Sequence, residues 1–136
     1  MVPLHSPVGY RMYCRSAAVV SFLFTAYPVV TKLVEHQLAQ DWAHSALHVM
    51  SAIAAAYAGW FASSGTLARL FTWGVAAVYG VLRVVGWFID GLLLNTHLAI
   101  PLGPVDNVFH LALAVAATAA IVRAGQIRTA AEAVAG

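Results

Sequence analysis

Three ionisable side chains stand inside otherwise apolar stretches of this sequence: His48, Arg83 and His110. His44 and His48 are four residues apart, which puts both on one face of a helix, a spacing that metal sites use. The run is HSALH, without the glutamate that a zinc protease helix needs as its general base. His48 lies seven residues inside Asp41, roughly 10 Å along a helix, and His110 lies four residues inside Asp106, roughly 6 Å. Arg83 lies seven residues inward from Asp90, again roughly 10 Å and on nearly the same helical face. The three are therefore expected to meet at similar depth, with Asp90 and Asp106 nearer the mouth and Asn107 beside them. Ionisable groups in lipid are costly unless they face a bundle interior and find partners.

Such a cluster has several uses. His44, His48 and His110 are candidate ligands of a divalent metal, and His48 and His110 are candidate axial ligands of haem or a chlorophyll-type pigment, which needs imidazoles on facing helices with apolar walls. Proton handling is a further use. The plainer alternative has His44 at the water interface and His48 bonded within the bundle, with Arg83, Asp90, Asp106 and Asn107 as a structural polar cluster. An anion or lipid headgroup held by Arg83 is the functional alternative to a structural ion pair. No phosphate-binding loop, nucleophile elbow or Cys–His pairing is present, which argues against a hydrolase or an NTPase.

The elements that must position these residues follow from composition. Of 136 residues, 62% are hydrophobic and 9% charged, against roughly a quarter charged in soluble domains, whose surfaces must be wetted. The excess must face lipid, so the chain is expected to be an all-α membrane protein and a single domain over 1–136. A helix needs ~20 apolar residues to cross the hydrocarbon core. Four runs qualify, at about 16–34, 42–62, 67–94 and 106–122, with Pro28 as a kink in the first and Asp106 as N-cap of the fourth. The SSGT run and the Pro/Gly-rich stretch over 95–105 are the breaks. Backbone polar groups must be satisfied internally in lipid, and no barrel-like alternation is present.

Arg11 and Arg15 precede the first run, Arg69 opens the third, and Arg123 and Arg128 follow the fourth, so all five share one side. Lys32 stands alone on the other. Cytoplasmic loops carry the Lys/Arg excess, which predicts both termini in the cytoplasm and residence in the inner membrane. No small-x-small cleavage site follows the N-terminal arginines, so the first span is expected to be retained. Four of five carboxylates and five of six histidines fall at the opposite ends of the spans or in the loops there. One cysteine, Cys14, excludes an internal disulfide and reads as a plain thiol rather than a palmitoylation site. Seven Lys and Arg residues form no patch suited to nucleic acid. Gly and Ala in YAGWFASSG and VAATAAIVRAG read as close helix packing.

The segment around His48 loosely repeats around His110, pairing Ser45 with Asn107 three residues before each histidine. Two tandem helical hairpins related by an axis along the membrane normal would bring both histidines to equivalent places. DNVFHLALAVAATAA and FTWGVAAVYGVLRVVGWF resemble the last two helices of a bacterial four-helix membrane family described only as a domain of unknown function. That family carries Asn-x-x-His-Leu at the start of two helices. The resemblance spans roughly residues 29–122 and departs at Ser45, Met50 and Ser51. It implies four transmembrane helices in a bundle and the importance of His48 and His110, and it implies no activity. With no soluble mass and no catalytic motif, the expected role is an accessory or scaffold subunit among other membrane proteins in the bilayer. The alternative is a haem-, pigment- or metal-binding membrane protein.

Overall fold

The computed structural model describes residues 8–34, 42–88 and 104–136, with side chains within 8–26, 46–81 and 108–136. It is all-helical over these residues. Helix α1 spans Val8–Val34, α2 spans Trp42–Ala56 and continues as a π-helical turn over Tyr57–Phe61, α3 spans Thr66–Phe88, and α4 spans Pro104–Ala135.

Two boundaries differ from the apolar runs. Helix α1 begins eight residues before the expected span, because Arg11 and Arg15 interrupt apolarity without breaking a helix. Helix α4 opens at Pro104, whose fixed φ suits the first helical position, so Asp106 lies inside the first turn instead of capping it. Helix α1 stays helical through Pro28. Among the described residues, one helical stretch, Val108–Ala135 of α4, is long and apolar enough to cross a membrane by length and composition. Among the same residues, Ala46–Phe61 and Thr66–Val81 are shorter apolar helical stretches.

Side-chain contacts fix the direction of each helix. Phe24 meets His48 while Arg15 meets Gly59, so α1 and α2 are antiparallel. Phe24 meets Phe109 while Tyr13 meets Leu113, so α1 and α4 are antiparallel. Cys14 meets Ala68 and Thr72 at the level where α1 and α3 both begin, so these two run together. The result is an up-down-up-down bundle whose sequential pairs, α1 with α2 and α3 with α4, pack most extensively. Helices α1 and α3 also touch, whereas α2 and α4 lie diagonally opposite and meet through side chains.

Small residues let the backbones approach. Ten of the buried hydrophobic residues described are alanines, among them Ala17, Ala55, Ala58, Ala68 and Ala117. A Cβ on Gly59 would lie 3.1 Å from the backbone nitrogen of Arg15, so no side chain fits between α1 and the π-turn there. Large apolar side chains point outward instead: Phe22, Met50, Ile53, Phe61 and Leu70 are each more than 60% exposed.

Candidate functional site

Each helix contributes a ring to one layer of the bundle. His48 comes from α2, His110 and Phe109 from α4, Tyr79 from α3 and Phe24 from α1. The imidazoles of His48 and His110 lie with centroids 5.4 Å apart and planes within 12° of parallel. Tyr79 stacks on His110 at 4.6 Å and 17°. Phe24 stacks on Phe109 at 3.9 Å and 9°, and both tilt against His48, at 5.7 and 5.4 Å respectively. Both imidazoles are 5% exposed. Along α2 the layer is eleven residues from Gly59, ~16 Å of helical rise.

Three threonine hydroxyls bond back onto their own helices. Thr25 donates its hydroxyl to the Ser21 carbonyl at 2.7 Å, Thr72 to Ala68 at 2.7 Å, and Thr118 to Ala114 at 2.8 Å. Such bonds one turn back let a hydroxyl sit in an apolar interior without an external partner. The Tyr13 hydroxyl donates to the Leu113 carbonyl at 3.1 Å, tying α1 to α4. The Cys14 thiol, with no exposed surface, lies 3.6 Å from the Ala68 carbonyl and 3.9 Å from the Thr72 hydroxyl. A thiol so enclosed offers no access to an acyl donor.

At the end where α1 begins, two arginines cover the close of α2. The Ala62 N–H bonds to the Tyr57 carbonyl, five residues back, as π geometry requires. Helix ends leave carbonyls without intrahelical donors. Arg15 Nε donates to the Gly59 carbonyl at 2.9 Å, and Arg11 Nη2 donates to Ala62 and Ser63 at 2.9 and 3.2 Å. The Arg15 guanidinium also lies 5.8 Å from the centre of the Trp60 ring, within cation–π range. Arg11 and Arg15, expected to precede the first span, lie within α1 and hold it on the end of α2.

No family model matches the chain, and neither does any curated protein or solved structure.

Of the residues expected to cluster, His48 and His110 are brought together by the diagonal pair α2 and α4. The side chains of His44, Arg83, Asp106 and Asn107 lie outside the described residues, although all four positions fall within the helices. Asp90 and the loop over 95–103 lie outside them altogether. Among the described residues, no group of three or more His, Cys, Asp and Glu side chains gathers as a metal would require. Tyr79, Phe24 and Phe109 were not among the expected site residues. Tyr79 was within reach of the sequence: it precedes Arg83 by four residues, so a face that turns Arg83 inward turns Tyr79 inward too.

Proposed function

We propose that this chain is a four-helix integral protein of the inner membrane, with both termini in the cytoplasm. In that membrane it serves as a non-catalytic accessory or scaffold subunit of a larger assembly. The observation that carries the membrane part is an inversion of surface and core. Alanine is the commonest residue of the described interior, which also holds Ser21, Thr25, Thr72, Cys14, His48 and His110, while Phe22, Met50, Ile53, Phe61 and Leu70 face outward from α1, α2 with its π-turn and α3, and Val108, Val115 and Ile127 from α4. A soluble protein would bury those side chains; in lipid they are in their solvent, and small residues mediate helix contact. Trp60, about half exposed and at the arginine end, suits an interfacial position. With the arginine end at one boundary of a ~30 Å core, the ring layer falls near the midplane. The Asn-x-x-His-Leu resemblance belongs to the same proposal.

The accessory role is supported by a layer whose rings pack on one another and by a sequence without a catalytic motif. Two measurements test the proposal. Retention in membranes through alkaline carbonate washing is expected, and cysteines placed in the 95–105 loop should label from outside intact cells while a C-terminal cysteine does not. Gentle detergent extraction followed by native sizing should show the chain migrating with other chains. Release by carbonate refutes membrane integration, and a monomer with its own turnover refutes the accessory role.

One distance favours a second reading. Two metal–imidazole bonds of ~2 Å each place ring centroids roughly 6 Å apart, and His48 and His110 are at 5.4 Å. A small ion fits that separation with slight adjustment. A haem or chlorophyll-type macrocycle fits less well, because Tyr79 and Phe109 already occupy the space around the imidazoles. Metal analysis and an absorption spectrum of purified protein separate the readings: a bound centre must vanish in both His48→Ala and His110→Ala, since two ligands on one centre fail together.

A further inference from the structure

Away from the ring layer, α3 and α4 enclose an open groove of about 600 Å³. Its walls are Ala76 and Gly80 on α3 and Ala114, Thr118, Arg123 and Gln126 on α4, with valines between them. A Cβ built on Gly80 meets nothing within 4 Å, so the groove is open space at that point and not a packed helix contact. The Thr118 hydroxyl is turned onto the Ala114 carbonyl, which leaves the wall apolar. All the polarity of the lining that remains is at one end, in Arg123 and Gln126. Among the described residues, the one carboxylate, Glu132, pairs with Arg128 at 2.9 Å and not with Arg123.

Length and charge together define the occupant. From Ala114 to Gln126 the groove follows twelve residues of helix, ~18 Å, against ~15 Å for one leaflet of the hydrocarbon core. Arg123 lies thirteen residues, ~20 Å, below His110, at the level of the headgroups if the ring layer is near the midplane. We propose that this groove binds one anionic phospholipid of the cytoplasmic leaflet, an acyl chain lying along Gly80 and Ala114 and the phosphate held by Arg123 and Gln126. Basic pockets between helices on the cytoplasmic side are suited to acidic headgroups, and small residues give a chain close contact without a side chain to displace. The inference rests on the four-span, termini-inside reading.

Native mass spectrometry of the full chain in detergent, with phosphatidylglycerol or phosphatidylcholine added at equal concentration, tests it. One phosphatidylglycerol should be retained in preference to phosphatidylcholine. Arg123→Gln should lower that preference by about five-fold, whereas Arg128→Gln, farther along the same helix, should leave it unchanged. Gly80→Leu, which enters open space and spares the fold, should abolish retention of both lipids. An unchanged preference in Arg123→Gln, equal loss in Arg128→Gln, or wild-type retention in Gly80→Leu each overturns the proposal. Loss of a dimer or of a co-purifying chain in Gly80→Leu, with lipid retention intact, overturns it in favour of a helix in the groove. Carbonate extraction separates the two levels: a chain that is washed from the membrane refutes the spanning reading itself, whereas one that stays and shows no lipid preference refutes the lipid site alone.

Discussion

Gly59→Ala tests whether backbone contact between α1 and the end of α2 holds the bundle. The added methyl would lie 2.9 Å from Arg15 Cγ, 3.1 Å from Arg15 N and 3.4 Å from the carbonyl carbon of Cys14. Cγ is near the root of a side chain whose far end is bonded to the Gly59 carbonyl, and the other two atoms are backbone. Relief therefore requires α1 and the π-turn to separate by a few tenths of an ångström, which strains the Arg15 bond at 2.9 Å. Overpacking of this kind costs ~1–3 kcal/mol. Alanine regains up to ~1 kcal/mol over glycine in a helix interior, so a net loss of about 1–2 kcal/mol is expected. Gly74→Ala on α3 supplies the control, since nothing lies within 4 Å of its Cβ and only the propensity gain remains. Both variants should be unfolded by SDS titration in mixed micelles, followed by helical circular dichroism. Gly59→Ala should unfold at lower SDS than wild type, and Gly74→Ala at equal or higher SDS. If the two variants behave alike, the close approach does not stabilise the bundle and the account of that end is wrong.

Arg15→Met keeps the aliphatic stem but removes the donor to Gly59 and the charge over Trp60; a loss of about 1.5–3 kcal/mol is expected, by the same titration. The double variant with Gly59→Ala should fall short of the sum of the singles, because both act on one contact. Cys14 should resist maleimide in the folded protein and react on SDS unfolding, as its complete burial requires; labelling at the rate of a free thiol would refute the packing of α1 on α3. His48→Ala and His110→Ala should each lower stability by ~1–3 kcal/mol, while His48→Phe should lose less than His48→Ala, since it keeps a flat ring beside Phe24 and Phe109. Equal losses in Phe and Ala variants would mean that the imidazole nitrogens, not the ring shape, stabilise the layer.

The meeting of His48 and His110 was legible because it depends on quantities that sequence carries: helical rise, distance from a polar end, and a repeat that pairs the two positions. The small-residue stretches were legible for the same reason, and Ala58, Gly59, Ala117 and Ala124 lie in the interior as their composition implied. Helix ends were less so. Apolar runs mark where hydrophobic composition begins and ends, and a helix has no reason to stop there, so α1 starts before Ser16 and α4 continues past Val122. The π-turn over Tyr57–Phe61 was hidden because α and π backbones differ by one residue in hydrogen-bond register and share a composition. Phe24 and Phe109 were hidden by chemistry: an apolar ring in an apolar helix looks the same whether it faces lipid or core. The repeat misled here, since it pairs Phe109, which is buried, with Leu47, which is about half exposed.

That broken symmetry connects the two ends of the bundle. At the arginine end, Gly59, Ala58, Ala68 and Cys14 allow α1 to lie against both α2 and α3. At the ring layer, five rings from four helices must be accommodated, and the distance between helix axes follows the side chains at the contact. Among the described residues, α2 and α4, diagonal to each other, span the gap between them at this layer through His48, Phe109 and His110. Leucine would fill such a gap with many rotamers, whereas flat rings stacked at 3.9–5.4 Å fill it in few. A polar ring adds a direction to that fit: its nitrogens gain free energy in lipid-excluded space only when aimed at a partner. The layer thus fixes the register of two helices that share no backbone contact, and the two hairpins are locked by their histidines at one level and by arginines and glycine at the other.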